Sequence, residues 1–120
     1  MIQQIKREAD FEYILSASRE RPVFLFKHST ACGISSRAWR EFQQFTARES
    51  EAEYWVVLAI EDRALSRAIA KQTGIRHQSP QMLLFHQGEV VWNESHFSIR
   101  EKALEAALQT ISGVSSADAR

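Results

Sequence analysis

Apolar positions along the chain switch between a helical rhythm and short unbroken runs, and the switches mark out the elements. Phe11, Ile14 and Leu15 share one face of a short helix over residues 10–15, with Asp10 placed to cap it. Pro22 ends that segment. Val23-Phe24-Leu25-Phe26 then forms a continuous apolar run, the pattern of a strand buried on both faces, closed by Lys27 and His28. Ser29-Thr30-Ala31-Cys32-Gly33 reads as a loop of small residues. Ile34, Ala38, Phe42 and Phe45 recur at helical spacing up to about Arg48, with Trp39 beside the stripe. Residues 54–60 make a second apolar strand. Asp62 caps a third helix carrying Leu65, Ala68 and Ile69, which Gly74 stops. Residues 82–85 form a third strand, Gln87-Gly88 a turn, and residues 89–92 a fourth strand of the same hairpin. Ser98 and Glu101 predict a capping box for a last helix with Ile99, Ala103, Leu104, Ala107, Leu108 and Ile111 inward.

The predicted order is α-β-α-β-α-β-β-α. Strands separated by helices pair in parallel through right-handed crossovers, and the closing hairpin adds an antiparallel strand. The expected fold is therefore α/β: one four-stranded mixed sheet with helices on both faces. It is a single domain over residues 1–112, followed by a flexible tail over 113–120.

Composition narrows the function classes. The chain has 120 residues, 44% hydrophobic and 25% charged, with a formal net charge of zero, so it carries no basic footprint for nucleic acid. No apolar run approaches the roughly 20 residues of a membrane span. Met1 to Glu12 is polar and mixed in charge without a signal-peptide core, so the expected location is cytoplasmic. The one cysteine has no partner for an internal disulfide and cannot alone supply a zinc or iron–sulfur site, so no metal is expected.

The ordinary role of a lone cysteine is that of a small buried hydrophobe. Cys32 departs from it, lying among polar and small residues past the end of the first core strand and at the start of the next helix. Ligands gather beyond the carboxyl ends of such strands. The free N–H groups and dipole of a helix start favour negative charge there, and the thiolate is the nucleophile. The second signal is Ser79-Pro80, at the head of a strand. A trans proline is permitted there. A cis proline, which only X-Pro bonds adopt cheaply, would instead expose the Ser79 backbone for β-type pairing with a substrate. Of the four histidines, His28, His77 and His96 are candidates for holding a thiolate, His77 foremost because it precedes the proline. Each taken alone reads more readily as a polar loop or surface histidine. Lys27 is a further source of positive charge or a carboxylate ligand.

Three segments together, residues 26–35, 77–81 and 91–96, resemble the thioredoxin superfamily and within it the YtxJ family, the monothiol bacilliredoxins. The first reads Phe-Lys-His-Ser-Thr-Ala-Cys-Gly-Ile-Ser, the second His-Gln-Ser-Pro-Gln and the third Val-Trp-Asn-Glu-Ser-His. Gly33 stands where that family usually has proline. The resemblance implies that Cys32 attacks a mixed disulfide between a client protein and the small thiol bacillithiol, a role in oxidative stress. Ser35 takes the position of a resolving cysteine, and a hydroxyl cannot close a disulfide, so a second small thiol must resolve the adduct. Ser35 is then expected to donate to the sulfur or to cap the helix. Thr30, Ala31, Gly33, His77, Ser79 and Pro80 are the expected substrate-binding set. No cofactor is expected to be bound, the small thiol being a co-substrate. The expected partners are S-thiolated proteins and that thiol, with no nucleic acid or membrane, and the chain is expected to be a monomer or weak dimer.

Two other readings stay open. Cys32-Gly33-Ile34-Ser35 comes within one residue of the loop of monothiol glutaredoxins that carry a [2Fe–2S] cluster, although residues 81–92 lack their Gly-Gly element. The other is a non-catalytic thioredoxin-like sensor or binding module, which would form a lasting adduct and not turn over.

Overall fold

A computed structural model describes residues 1–49 and 51–118, with side chains to residue 111. Five strands and four α-helices follow one another as β1 (Ile2–Gln4), α1 (Glu8–Ala17), β2 (Val23–His28), α2 (Gly33–Arg48), β3 (Glu53–Leu58), α3 (Arg63–Thr73), β4 (Gln81–His86), β5 (Glu89–Ser95) and α4 (Glu101–Asp118), with a 3₁₀ turn at His96–Ser98 before α4. The strands form one mixed sheet in the order β1-β3-β2-β4-β5. β3 pairs in parallel with β1 and β2, while β4 runs antiparallel to β2 and β5.

The sheet thus has five strands where the hydrophobic pattern predicted four. The extra one, β1, is three residues long at the sheet edge, and only Ile2 in it is partly buried. So short and polar a strand shows no periodicity, and it exists because Tyr54–Val56 of β3 offers it a ladder.

Pleating divides the core in two. Phe24 and Phe26 of β2 join Phe42 and Phe45 of α2 and Leu104 and Leu108 of α4 on one face. Val23 and Leu25 join Phe11 and Ile14 of α1 and Leu65 and Ile69 of α3 on the other. All six residues of β2 are buried, including Lys27 and His28, which the pattern placed beyond the strand. By the same alternation Lys27 faces α3 and His28 faces α2.

Three helix starts differ from expectation, the first being α3, where Asp62 is the N-cap residue but makes no side-chain capping hydrogen bond. Asp10 lies inside α1, where its carboxylate accepts the backbone N–H groups of Lys6 and Arg7 at 2.9 and 3.1 Å. It caps the helix from the first turn and not from the N-cap position. Ser98 falls in the 3₁₀ turn, and the Glu101 N–H donates instead to Glu41 Oε1 of α2 at 2.9 Å. Gly74 stops α3 in the left-handed region as predicted, with φ 75°. The backbone of α4 continues past the expected domain boundary at 112 to Asp118. The side chains of the stretch read as a tail, and residues 119–120 altogether, lie outside the described residues.

Candidate active site

The carboxyl end of β2 points Cys32 at the start of α2. Cys32 is the N-cap residue, extended at φ −123° and ψ 125°, and Sγ takes no capping hydrogen bond. Its N–H donates to Ser29 O at 3.3 Å, and its carbonyl accepts the Ser36 N–H at 3.0 Å. The residue is partly exposed, so the thiol stands at a helix start and within reach of solvent. It is not sealed in the core, where an inert structural cysteine would sit.

Because β4 runs antiparallel to β2 with Gln81 opposite Lys27, the register brings Pro80 to the same end of the sheet as the Cys32 loop. The Ser79–Pro80 peptide is cis. Gln81 Nε2 donates to Arg76 O at 2.9 Å and ties down the segment leading to it. His96, with φ 56°, donates its backbone N–H to Pro80 O at 3.1 Å. The third segment of the sequence signature therefore reaches the site through the main chain, with the exposed His96 imidazole turned outward.

The residues proposed to tune the thiol separate onto the two faces of the sheet. On the α2 face, Ser35 is fully buried. Its Oγ lies 2.7 Å from His28 Nδ1 and accepts the Ser29 N–H at 2.8 Å. Ser35 is thus engaged in holding the loop, neither donating to the sulfur nor capping the helix as expected. The His28 ring stacks on Trp39, with centroids 5.2 Å apart and planes 11° apart, and on Phe26. Burial lowers its pKa, only partly offset by Glu61, so the ring is neutral at pH 7. Its Nδ1 and the Ser35 hydroxyl share one hydrogen bond, whose donor is set by the imidazole tautomer.

On the α3 face, Lys27 is wholly buried. Its Nζ donates to Ser66 O at 3.1 Å and lies 3.3 Å from His77 Nδ1. Burial lowers its pKa from 10.5 to about 8. Burial likewise lowers that of His77, which the charges of Lys27 and Arg67 lower further. Thr30, Ala31 and Gly33 are exposed on the Cys32 loop, His77 and Ser79 are partly buried, and Pro80 is buried. Ser29, Ala59, Ile60, Arg63, Arg67, His77 and Ser79 line a cavity of about 430 Å³ beside the loop. Of these, the sequence singled out His77 and Ser79. Arg63 and Arg67 were missed, although their spacing of four on a predicted helix puts both on one face.

A parallel–antiparallel sheet between helix layers, a lone cysteine at a helix start and a cis proline at the head of the facing strand define a protein of the thioredoxin-fold, thiol–disulfide oxidoreductase class. Solved structures agree. A candidate oxidoreductase with a thioredoxin fold is 33% identical, with a TM-score of 0.79 over 88% of this chain and 92% of its own. Thioredoxins from Malassezia sympodialis and Fasciola hepatica match at TM-scores of 0.72 and 0.73, covering 92% and 90% of this chain and 90% and 97% of theirs. At 18% and 15% identity they speak for the fold alone. Within that class, residues 3–104 match the model of the family described as monothiol bacilliredoxin BrxC. The chain belongs to that family, and its single cysteine fits a monothiol protein.

Proposed function

We propose that this protein removes bacillithiol from protein mixed disulfides formed under oxidative stress. The observation that carries the reading is a solitary, partly exposed thiol at the N-cap of α2, with a buried, fully engaged hydroxyl at Ser35 where a second cysteine would resolve the adduct. The Cys32 thiolate attacks the bacillithiol sulfur of the mixed disulfide. The client sulfur leaves as a thiolate and takes a proton, and Cys32 now carries bacillithiol. A second small-thiol molecule, as its thiolate, attacks that adduct, releasing the symmetrical small disulfide and free Cys32. Bacillithiol is a co-substrate here, not a bound cofactor. Ser35 acts as a positioning residue for the loop. Thr30, Ala31, Gly33 and the Ser79–Pro80 segment flank the incoming disulfide. A lone unpaired cysteine suits a reducing compartment, and the reaction is assigned to the cytoplasm.

The test incubates the protein and a Cys32→Ala variant with a bacillithiol-modified client. Mass spectrometry is expected to show the modification leaving the client and one bacillithiol on the intact protein alone, with turnover once free thiol is supplied. Equal removal by the variant would refute the catalytic assignment. An adduct that forms but is never recycled would make the protein a sensor.

A further inference from the structure

Lys27 is a buried cation that the transfer reaction leaves without a role. Its ammonium is wholly inside the fold on the α3 face of β2, and among the described residues it has no carboxylate partner. Val57 of β3 and Gln81 of β4 flank it in the sheet. Phe11 and Ile14 of α1 pack on the same face, and the charged groups that α3 brings to this end are Arg63 and Arg67. A buried charge without a counter-ion is costly to keep, which gives this one a reason to part with its proton. Nζ has two hydrogen-bond contacts, Ser66 O at 3.1 Å and His77 Nδ1 at 3.3 Å. A carbonyl oxygen passes no proton on, but an imidazole does. His77 lines the cavity that also meets the Cys32 loop at Ser29 and the cis-proline segment at Ser79. An ammonium only donates, so Nδ1 accepts and the ring proton of the neutral imidazole sits on Nε2. Burial and the charges of Lys27 and Arg67 keep that ring neutral. A proton path thus runs from a sealed amine, through one ring, to a cavity beside the nucleophile.

The proposed transfer, on which this inference rests, has a proton unassigned at each step. The client sulfur gains one on leaving, and the resolving small thiol loses one before it attacks. We infer that Lys27 and His77 form the proton relay that closes this cycle, with His77 as the catalytic acid and base and Lys27 acting through it. As the Cys32 thiolate bonds to the bacillithiol sulfur, the electron pair of the breaking S–S bond goes to the client sulfur, which takes the Nε2 proton. Nδ1 takes a proton from Lys27, whose ammonium becomes a neutral amine. In the second step the small thiol gives its proton to Nε2, and Nδ1 returns one to the amine. The small thiolate then attacks the adduct and releases the Cys32 thiolate. The Cys32 thiolate and the Lys27 ammonium lose and regain their charges together, so the site stays neutral throughout. Lys27, at about 8, lies close to the roughly 8.5 of a free thiol, so the proton moves in either direction without a large uphill step.

The test measures single-turnover transfer onto Cys32 from two bacillithiol disulfides, one of a cysteine peptide and one of thionitrobenzoate. The peptide sulfur is a basic leaving group that gains from a proton, whereas the aryl sulfur leaves as a stable thiolate. Ionisation of Cys32 is common to both, so the aryl-to-peptide rate ratio isolates help given to the leaving group. His77→Phe and Lys27→Met are each expected to raise that ratio about a hundredfold over the parent, and the double variant no further. His77→Phe, at a partly buried position, carries the test should Lys27→Met fail to fold. The parent is expected to show a larger solvent deuterium isotope effect with the peptide than with the aryl disulfide, and the variants to lose the difference. A ratio that neither variant changes, including equal slowing of both substrates, overturns the relay and leaves the transfer reaction standing. So does a raised ratio without the isotope difference, which would make the pair a source of charge and not of protons. No transfer from either disulfide to the parent refutes the reaction and the relay together. Independently of transfer, heteronuclear NMR of the resting protein is expected to find the His77 proton on Nε2 and to lose that preference in Lys27→Met. A proton on Nδ1 in the parent overturns the relay.

Discussion

Gly33 stands in the first turn of α2 where the family usually has proline, and nothing crowds a Cβ there: one added meets nothing within 4 Å. The residue opens the helix, where proline's fixed φ fits and its missing N–H is not needed by the helix. Cys32 already has φ −123° and ψ 125°, inside the region to which a following proline restricts a residue. Gly33→Pro is therefore expected to stabilise the protein by about 0.4–1 kcal/mol, by narrowing the unfolded chain. Chemical denaturation reads this directly, and a loss of stability would show that the loop needs glycine's freedom. Ser35 teaches a different lesson at the same scale. Its position in the sequence marked it as the replacement for a second thiol. Its buried hydroxyl, bonded to both His28 and the Ser29 N–H, shows a second role: it is part of what holds the Cys32 loop in place.

Elements in this fold are terminated by their neighbours as much as by their own residues. The start of α4 is the clearest case. The capping box expected from Ser98 and Glu101 is local chemistry, but the 3₁₀ turn at His96–Ser98 takes Ser98 out of position. The helix docks on α2, which supplies the Glu41 carboxylate to the Glu101 N–H. Further along α2, Arg48 pairs with Glu101 and Glu105. Glu41→Ala removes the cap and is expected to cost about 1 kcal/mol of unfolding free energy, with Glu41→Gln retaining most of it because the amide oxygen still accepts. Equal stability of parent and Glu41→Ala, measured by urea unfolding, would mean that packing of Leu104 and Leu108 alone holds this end of α4.

For the whole molecule, three buried or partly buried bases shape the response to pH below about 10, above which the buried Tyr54 phenol, its pKa raised from 10.0, acts in the opposite direction. Lys27 has its pKa lowered from 10.5 to about 8 by burial. Between those values the unfolded chain binds more protons than the folded one, so stability rises with pH across that window, and below about 8 the cost is present in full. His28 and His77 are also lowered, chiefly by burial, so stability falls as pH drops below their ordinary value of 6.5. The expected profile climbs from mildly acid pH to 7 and climbs again above about 8. Lys27→Met is expected to remove the alkaline climb and, by taking away a charge that lowers the His77 pKa, to lessen the acid one, measured as denaturation midpoint against pH. An alkaline climb unchanged in the variant would place its source elsewhere.

What the sequence by itself determined is what depends on near neighbours along the chain. The unbroken run Val23–Phe26 marks a strand buried on both faces. The helical stripe after Gly33 and the small-residue loop before it place Cys32 at a helix start. Ser79-Pro80 heading a strand and Gly74 ending a helix are local punctuation of the same kind. Those signals were enough for the α/β order of the longer elements, for a cysteine at a helix start and for the proline facing it. The edge strand β1 was not legible, because three residues carry no period and its ladder lies on Tyr54–Val56. Nor was the division of labour around the thiol. The pleat of β2 sends Lys27 to Ser66 and His77, 39 and 50 residues away, and His28 to Ser35 and Trp39 on the opposite face. The cavity of Arg63, Arg67 and Ser79 is likewise assembled only when α3 packs against the sheet. Burial, charge pairing and hydrogen-bond satisfaction are properties of residues distant in sequence and close in space, so only the tertiary structure decides them.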